Sequence, residues 1–143
     1  LSAHSVNYAR GLHVDPRHPG RAIVGPKLSL GMEKAQAFAG KLVVLVNENT
    51  QSAAEFYGMC LRAIGGTIIG STTAGADGNV SQLYLPGSIV TTFSGLGIYY
   101  PDGSSTQRVG IVPDIVCNPT ITGVKEGKDE QLDRAITFIK EGK

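Results

Sequence analysis

Apolar positions follow two different periods along the chain. Lys41 to Val46, KLVVLV, is a short continuous apolar run rich in valine and leucine, the pattern of a strand covered on both faces as in parallel sheets. From Ala53 to Ile64 the apolar residues Phe56, Met59, Cys60 and Ala63 recur at spacings of three and four. That spacing marks one face of a helix, which ends at Gly65-Gly66. Thr67 to Gly70, TIIG, then supplies a second buried strand. Strand, helix and strand within about thirty residues form a βαβ unit. The sheet is therefore at least partly parallel, with a right-handed crossover expected.

Downstream, a glycine-rich turn, GSTTAGADGN, precedes the strand candidates SQLYLP, SIVTTF and LGIYY, joined by Pro-Gly, Ser-Gly and Pro-Asp-Gly turns. These read as a small antiparallel meander. GIVPDIVC gives one more strand, and Asp129 to Glu141 closes the chain as an amphipathic helix with Leu132, Ala135, Ile136 and Ile139 on one face. The opening residues mix Pro16, Pro19 and Pro26 with glycines and show no clean period, so they read as an irregular entry with one short strand at Arg21 to Val24. Residues 1–40 are accordingly expected to be an entry segment left from an upstream lobe, and residues 41–143 the folded remainder. The start at Leu1 rather than methionine fits a piece of a longer precursor.

At 143 residues the chain is one ordinary domain, long enough to bury about two thirds of its unfolded surface. A charged fraction of 17% and a net charge of +1 suggest neither disorder nor nucleic-acid binding. No apolar run approaches the ~20 residues of a bilayer span, so no direct membrane insertion is expected. Cys60 lies in an apolar helical stretch, where a buried free thiol is a commoner outcome than a disulfide with Cys117. Cysteines and histidines are scattered without ligand spacing, and no metal or other cofactor is expected.

The candidate chemistry lies in NENTQSAAEF, residues 47–56. Ser52 falls in the first turn of a helix that follows a buried strand, where backbone N–H groups are unpaired and the helix dipole is positive. Attack by Ser52 on a carbonyl would bring the developing oxyanion near the Ala53 N–H, and one such donor is worth about 3 kcal/mol of barrier. The competing reading is a capping box, Ser52-Ala-Ala-Glu55. Asn49 and Thr50 are also good caps, and either would free the Ser52 hydroxyl. Asp77 and Asp102 sit in glycine turns and read as turn formers. Asp114 reads as a local Asx motif and Glu55 as a cap.

The order of KLVVLVNENTQSAAEF, the IG strand, the glycine-rich turn, YYPDG, GIVPDI and EGKDEQLDRAI resembles the C-terminal part of the S41 serine peptidases. These are the carboxy-terminal processing, or tail-specific, proteases and their tricorn-core relatives. The resemblance runs from about residue 41 to the chain end. It implies an α/β fold with a partial ClpP/crotonase-like core, Ser52 as nucleophile and the Ala53 N–H as an oxyanion donor.

The chain departs from that pattern at the base. Processing proteases carry a lysine in the glycine turn, where Ala76, or with a shifted gap Asp77, stands here. Tricorn-like relatives use an upstream histidine, and His4, His13 and His18 all lie in the entry segment. The tricorn-like glutamate corresponds to Gln107, which orients but accepts no proton at neutral pH. The upstream strand that contributes the other oxyanion donor has no counterpart, nor has the PDZ domain. The resemblance thus implies serine-type peptide hydrolysis through an acyl-enzyme on Ser52, in a fragment inactive by itself. Its implied partners are a peptide or unfolded protein substrate, the upstream remainder of the catalytic domain, and a homo-oligomer. The implied location is the bacterial cell envelope. The alternative is a noncatalytic peptide-binding or scaffold domain that has lost its base; an acyl-CoA enzyme of the crotonase type is a third class.

Overall fold

The computed structural model describes residues 1–33 and 36–142. The βαβ unit forms as its apolar runs predict. β3 (Val43–Val46) pairs in parallel with β4 (Thr67–Gly70), and α1 (Ala53–Ala63) crosses between them. The helix stops at Ile64, followed by Gly65 at φ 92°, whose N–H bonds the Arg62 carbonyl at 2.9 Å. The strand of GIVPDIVC shrinks to β8 (Ile115–Val116), parallel to β4. Asp114 joins it to the sheet by accepting from the Ile68 N–H at 2.7 Å and pairing with Arg62 at 3.2 Å. These partners are distant in sequence, so the local Asx reading of Asp114 is corrected.

The irregular reading of residues 1–40 is also corrected. β1 (Val6–Val14) and β2 (Ala22–Leu30), nine residues each, form an antiparallel hairpin. Two register shifts interrupt the ladder, one of them between Arg10 and Leu12, where Gly11 lies. Glycine and proline here mark bulges and an edge, which blurred the alternation in the sequence. The turn between the strands is closed by buried Asp15, which accepts from the Arg17 N–H and His18 Nδ1.

Of the three expected meander strands, β5 (Val80–Leu85) and β6 (Ile89–Ser94) pair only with each other. β7 (Leu96–Tyr99) turns away at Gly95 and pairs with β1, giving the sheet order β2-β1-β7 beside β3-β4-β8. Met59 of α1 meets Ala9, Val46, Ile68, Ile98 and Ile111 in one core shared by both sheets. Tyr8 of β1 packs edge-on against Phe56 of α1 at 5.2 Å. The ladder from β1 to β7 thus carries residues 6–14 into the same core as the βαβ unit.

A short helix absent from the sequence reading, α2 (Ile121–Lys125), is capped by Thr120, whose side chain and N–H both bond Glu130. α3 (Glu130–Glu141) begins at Asp129, which accepts from the Leu132 N–H. Of its apolar face only Ala135 is buried, while Leu132, Ile136 and Ile139 are exposed. Both cysteines are free. Among the described residues no helix is long and apolar enough to cross a membrane.

Candidate active site

The turn from β3 into α1 consumes the side chains expected to cap the helix. Thr50 Oγ1 accepts from the Asn47 N–H and Asn47 Oδ1 from the Asn49 N–H, both at 3.0 Å. Neither Asn49 nor Thr50 therefore caps α1, which corrects that expectation. The N-cap residue is Ser52 itself, at φ 54° and ψ −124°. Positive φ is uncommon for a side chain with a Cβ and costs about 1–3 kcal/mol. The Ser52 hydroxyl approaches the Glu55 N–H in the capping-box arrangement but makes no side-chain cap hydrogen bond of full geometry. The Ser52 side chain is half-buried. Two other donors of the helix start are satisfied, Ala54 by the Gln51 carbonyl and Phe56 by the Ser52 carbonyl. For the Ala53 N–H no acceptor is found among the described residues.

Glu55 holds this conformation from beneath. Its side chain is fully buried, and its carboxylate accepts from four donors. Oε2 takes the Ser52 N–H at 3.1 Å and the Ala76 N–H at 2.9 Å. Oε1 takes the Gly75 N–H at 2.8 Å and the Thr73 hydroxyl at 2.5 Å. The capping role expected of Glu55 is thus half of what it does; the other half ties α1 to the glycine-rich turn after β4. Two further bonds join the same segments, Ala74 N–H to the Thr50 carbonyl at 2.9 Å and the Ser71 hydroxyl to Glu48 at 2.9 Å. Its own N–H and the Ser71 hydroxyl hold the Glu48 carboxyl below the usual range.

Ser52 and Ala53 border a cavity of about 440 Å³. β1 contributes Gly11 and His13, β2 contributes Gly25, Pro26 and Leu28, and the wall is closed by Phe56, Leu96 and Ile98. Asp77, Gly78 and Asn79 of the glycine-rich turn complete it. This wall is mostly apolar, with polar groups gathered at one end, the usual build of a binding cleft. Gly78 lies at φ 132°, and a Cβ there would fall 2.4 Å from Gln107 Nε2. Gln107 donates to the Asp77 carbonyl at 2.6 Å and the Leu96 carbonyl at 2.9 Å, so it fixes the turn. Asp77 is only 4% exposed. Its Oδ1 accepts from the Gly78 N–H at 2.7 Å, while its buried Oδ2 has no partner. Burial pushes the Asp77 carboxyl above the ordinary range; the Gly78 N–H opposes this and the Glu55 charge adds to it.

His13 is brought to the cavity, whereas His4 pairs with Glu33 and His18 with Asp15 at the hairpin turn. Asp102 is turn chemistry, as expected, accepting from the Ser104 N–H and hydroxyl. The signal for Glu55 was present in the sequence as the third residue after Ser52, but its partners at 73–76 were not. Asp77 read as a turn former, and its Oδ1 does serve the turn; the solitary Oδ2 has no sequence signature. Among the described residues, no three His, Cys, Asp or Glu side chains converge in a way that would hold a metal ion.

The fold matches known structures that share little sequence with the chain. A crystal structure of a candidate peptidase from Parabacteroides merdae ATCC 43184 superposes with a TM-score of 0.83 at 19% identity, over 94% of this chain and 43% of that one. Mature CPAF in complex with lactacystin gives 0.78 at 15% identity, over 98% and 40%. The photosystem II D1 C-terminal processing protease gives 0.61 at 22%, over 85% and 29%. The chain thus spans less than half the length of each. No curated protein sequence matches it. The model of peptidase family S41 matches residues 9–117, and the chain belongs to that family, whose members are proteases.

Proposed function

We propose that this chain carries the nucleophile of a serine peptidase. Ser52 attacks a peptide carbonyl, an acyl-enzyme forms on its Oγ, and water releases the acid. The observation that supports this most directly is the backbone of Ser52, strained to φ 54° at a strand-to-helix turn on the rim of a cleft. A comparable strained turn presents the nucleophilic serine of other hydrolases, and strain at one residue of a well-packed turn is a pointer to function. Ala53 follows at the helix start, where its N–H faces the charge that develops on the carbonyl oxygen.

The cleft accepts an extended segment of a peptide or unfolded protein, with the apolar wall of Leu28, Phe56, Leu96 and Ile98 taking a side chain. An oxyanion hole needs a second donor, which we assign to the part of the relatives' catalytic domain that lies outside this chain. Hydrolysis then requires that part, and residues 1–143 alone are inactive. Location in the bacterial cell envelope and a tail-specific substrate belong to the same proposal.

A fluorophosphonate probe tests the assignment in the full-length protein. Ser52 should be labelled, and Ser52→Ala should abolish both labelling and peptide hydrolysis while the fold persists. Hydrolysis retained in Ser52→Ala sinks the proposal and favours a binding or scaffold role.

A further inference from the structure

Asp77 presents a buried carboxylate that the fold leaves half used. A buried polar atom without a partner is rare in folded proteins and calls for an explanation. Asp77 Oδ1 satisfies the Gly78 N–H, which accounts for the turn, but Oδ2 is buried and bonds nothing. The Gly78 N–H needs one acceptor oxygen, which an uncharged asparagine would also supply, so the turn does not explain the carboxylate.

Its position does. Ser52 N–H and Ala76 N–H donate to the same oxygen, Glu55 Oε2, so the two amide nitrogens are no more than about 6 Å apart, the two bonds laid end to end. Asp77 is the next residue after Ala76, and it lines the cavity that Ser52 borders. Gln107 grips the Asp77 carbonyl and Glu55 grips the Gly75 and Ala76 amides. The backbone that carries the carboxylate is thereby fixed beside the cleft from both sides of the turn.

We propose that Asp77 is the proton acceptor for Ser52, which makes it a catalytic residue of the reaction assigned above; the inference rests on that assignment. As the bond from Ser52 Oγ to the carbonyl carbon forms, the hydroxyl proton passes to Asp77 Oδ2. When the C–N bond breaks, Asp77 returns that proton to the leaving amine. In the second half Asp77 takes a proton from the attacking water and gives it back to Ser52 Oγ as the acid departs.

Burial supports the role, since a carboxyl raised above its ordinary range is a stronger base when ionised and a readier acid when protonated. The charged and titratable groups around Asp77 are Glu55 and Cys60 from α1, which act on it directly, with His13 of β1 lining the same cavity and Arg108 lining the adjoining one. Glu55 is committed to its four donors, and His13 is exposed.

The test is the rate of fluorophosphonate labelling of Ser52 in the full-length protein, followed from pH 4 to 9. In the wild type the rate should rise with pH through one ionisation above the ordinary aspartate value. Asp77→Asn keeps an oxygen for the Gly78 N–H but accepts no proton, and general-base loss should slow labelling by about 100-fold or more. It should also remove the acidic limb. Asp77→Glu should keep the limb at a reduced rate, an outcome that a purely structural role would not give. Labelling of Asp77→Asn at the wild-type rate with an unchanged pH profile overturns the inference and leaves Ser52 assigned. Loss of labelling in His13→Gln but not in Asp77→Asn also overturns it and moves the base to His13. No labelling of wild-type Ser52 overturns both proposals.

Discussion

Glu55→Gln is the sharpest perturbation the structure offers. Each carboxylate oxygen of Glu55 accepts from a backbone N–H as well as a second donor. With its NH2 at the Oε2 position a glutamine amide faces the Ser52 and Ala76 N–H groups and loses both bonds; turned the other way it loses the Gly75 bond and keeps Thr73 only if that hydroxyl reverses to accept. A hydrogen bond to a charged group contributes about 1.5–3 kcal/mol, and the penalties within one network do not add fully. With the site fully buried, a net loss of about 3 kcal/mol is expected for the glutamine and about 4 kcal/mol for alanine. The assay is urea denaturation followed by circular dichroism. With a slope of about 1–3 kcal/mol per M, the midpoint of Glu55→Gln should fall by about 1–3 M at unchanged slope. Fluorophosphonate labelling of Ser52 in the full-length protein should fall in the same variant under conditions where it remains folded, because the strained φ is no longer held. A glutamine variant within about 0.5 kcal/mol of the wild type would refute the reasoning.

Four further outcomes are expected. Gly70→Ala should cost more than about 3 kcal/mol, since φ is 140° and a Cβ would fall 1.8 Å from the Val46 carbonyl oxygen; a thermal melt checks it. Asp114→Ala should cost about 1–3 kcal/mol by orphaning the Ile68 N–H. Its coupling to the half-exposed Arg62 should nonetheless stay below about 1 kcal/mol in a double-mutant cycle. Because burial raises the folded-state pKa of Asp77, the folded protein holds this proton more tightly than the unfolded chain does. The stability that follows is complete below the ordinary aspartate value of about 3.9 and is lost as pH rises through the higher folded value. Asp77→Asn should therefore be more stable than the wild type at pH 7, with that advantage shrinking as the pH falls to 3; denaturation at the two pH values measures it. Amides of β5 and β6, a hairpin exposed at every position but Ser81, should exchange with deuterium far faster than those paired between β1 and β2.

The parts legible in the sequence are those whose signal is local. KLVVLV, the helical spacing from Phe56 to Ala63 and TIIG each announce themselves within a dozen residues, and the βαβ unit follows. β1 and β2 were hidden because Gly11, Gly25 and Pro26 interrupt their alternation, while the stabilising partner, β7, lies some 85 positions on. The meander failed for a related reason: short turns predict neighbours, but β7 gains more by pairing with β1 in the core than by extending an exposed hairpin. α2 has five residues, too few to show a period.

The candidate site shows the same division within a single residue. The spacing Ser52-Ala-Ala-Glu55 is correctly a capping box in outline, and the carboxylate does return to the Ser52 N–H. A helix cap alone, however, needs no buried charge, because solvent serves an exposed cap equally well. Glu55 is buried because its other three donors come from the glycine-rich turn, which must stay close to α1 for Asp77 to reach the cleft. One carboxylate thus fixes both the strained backbone of Ser52 and the position of Asp77. The two readings first set against each other at Ser52, cap and nucleophile, are therefore not rivals: the cap supplies the energy that holds the strain.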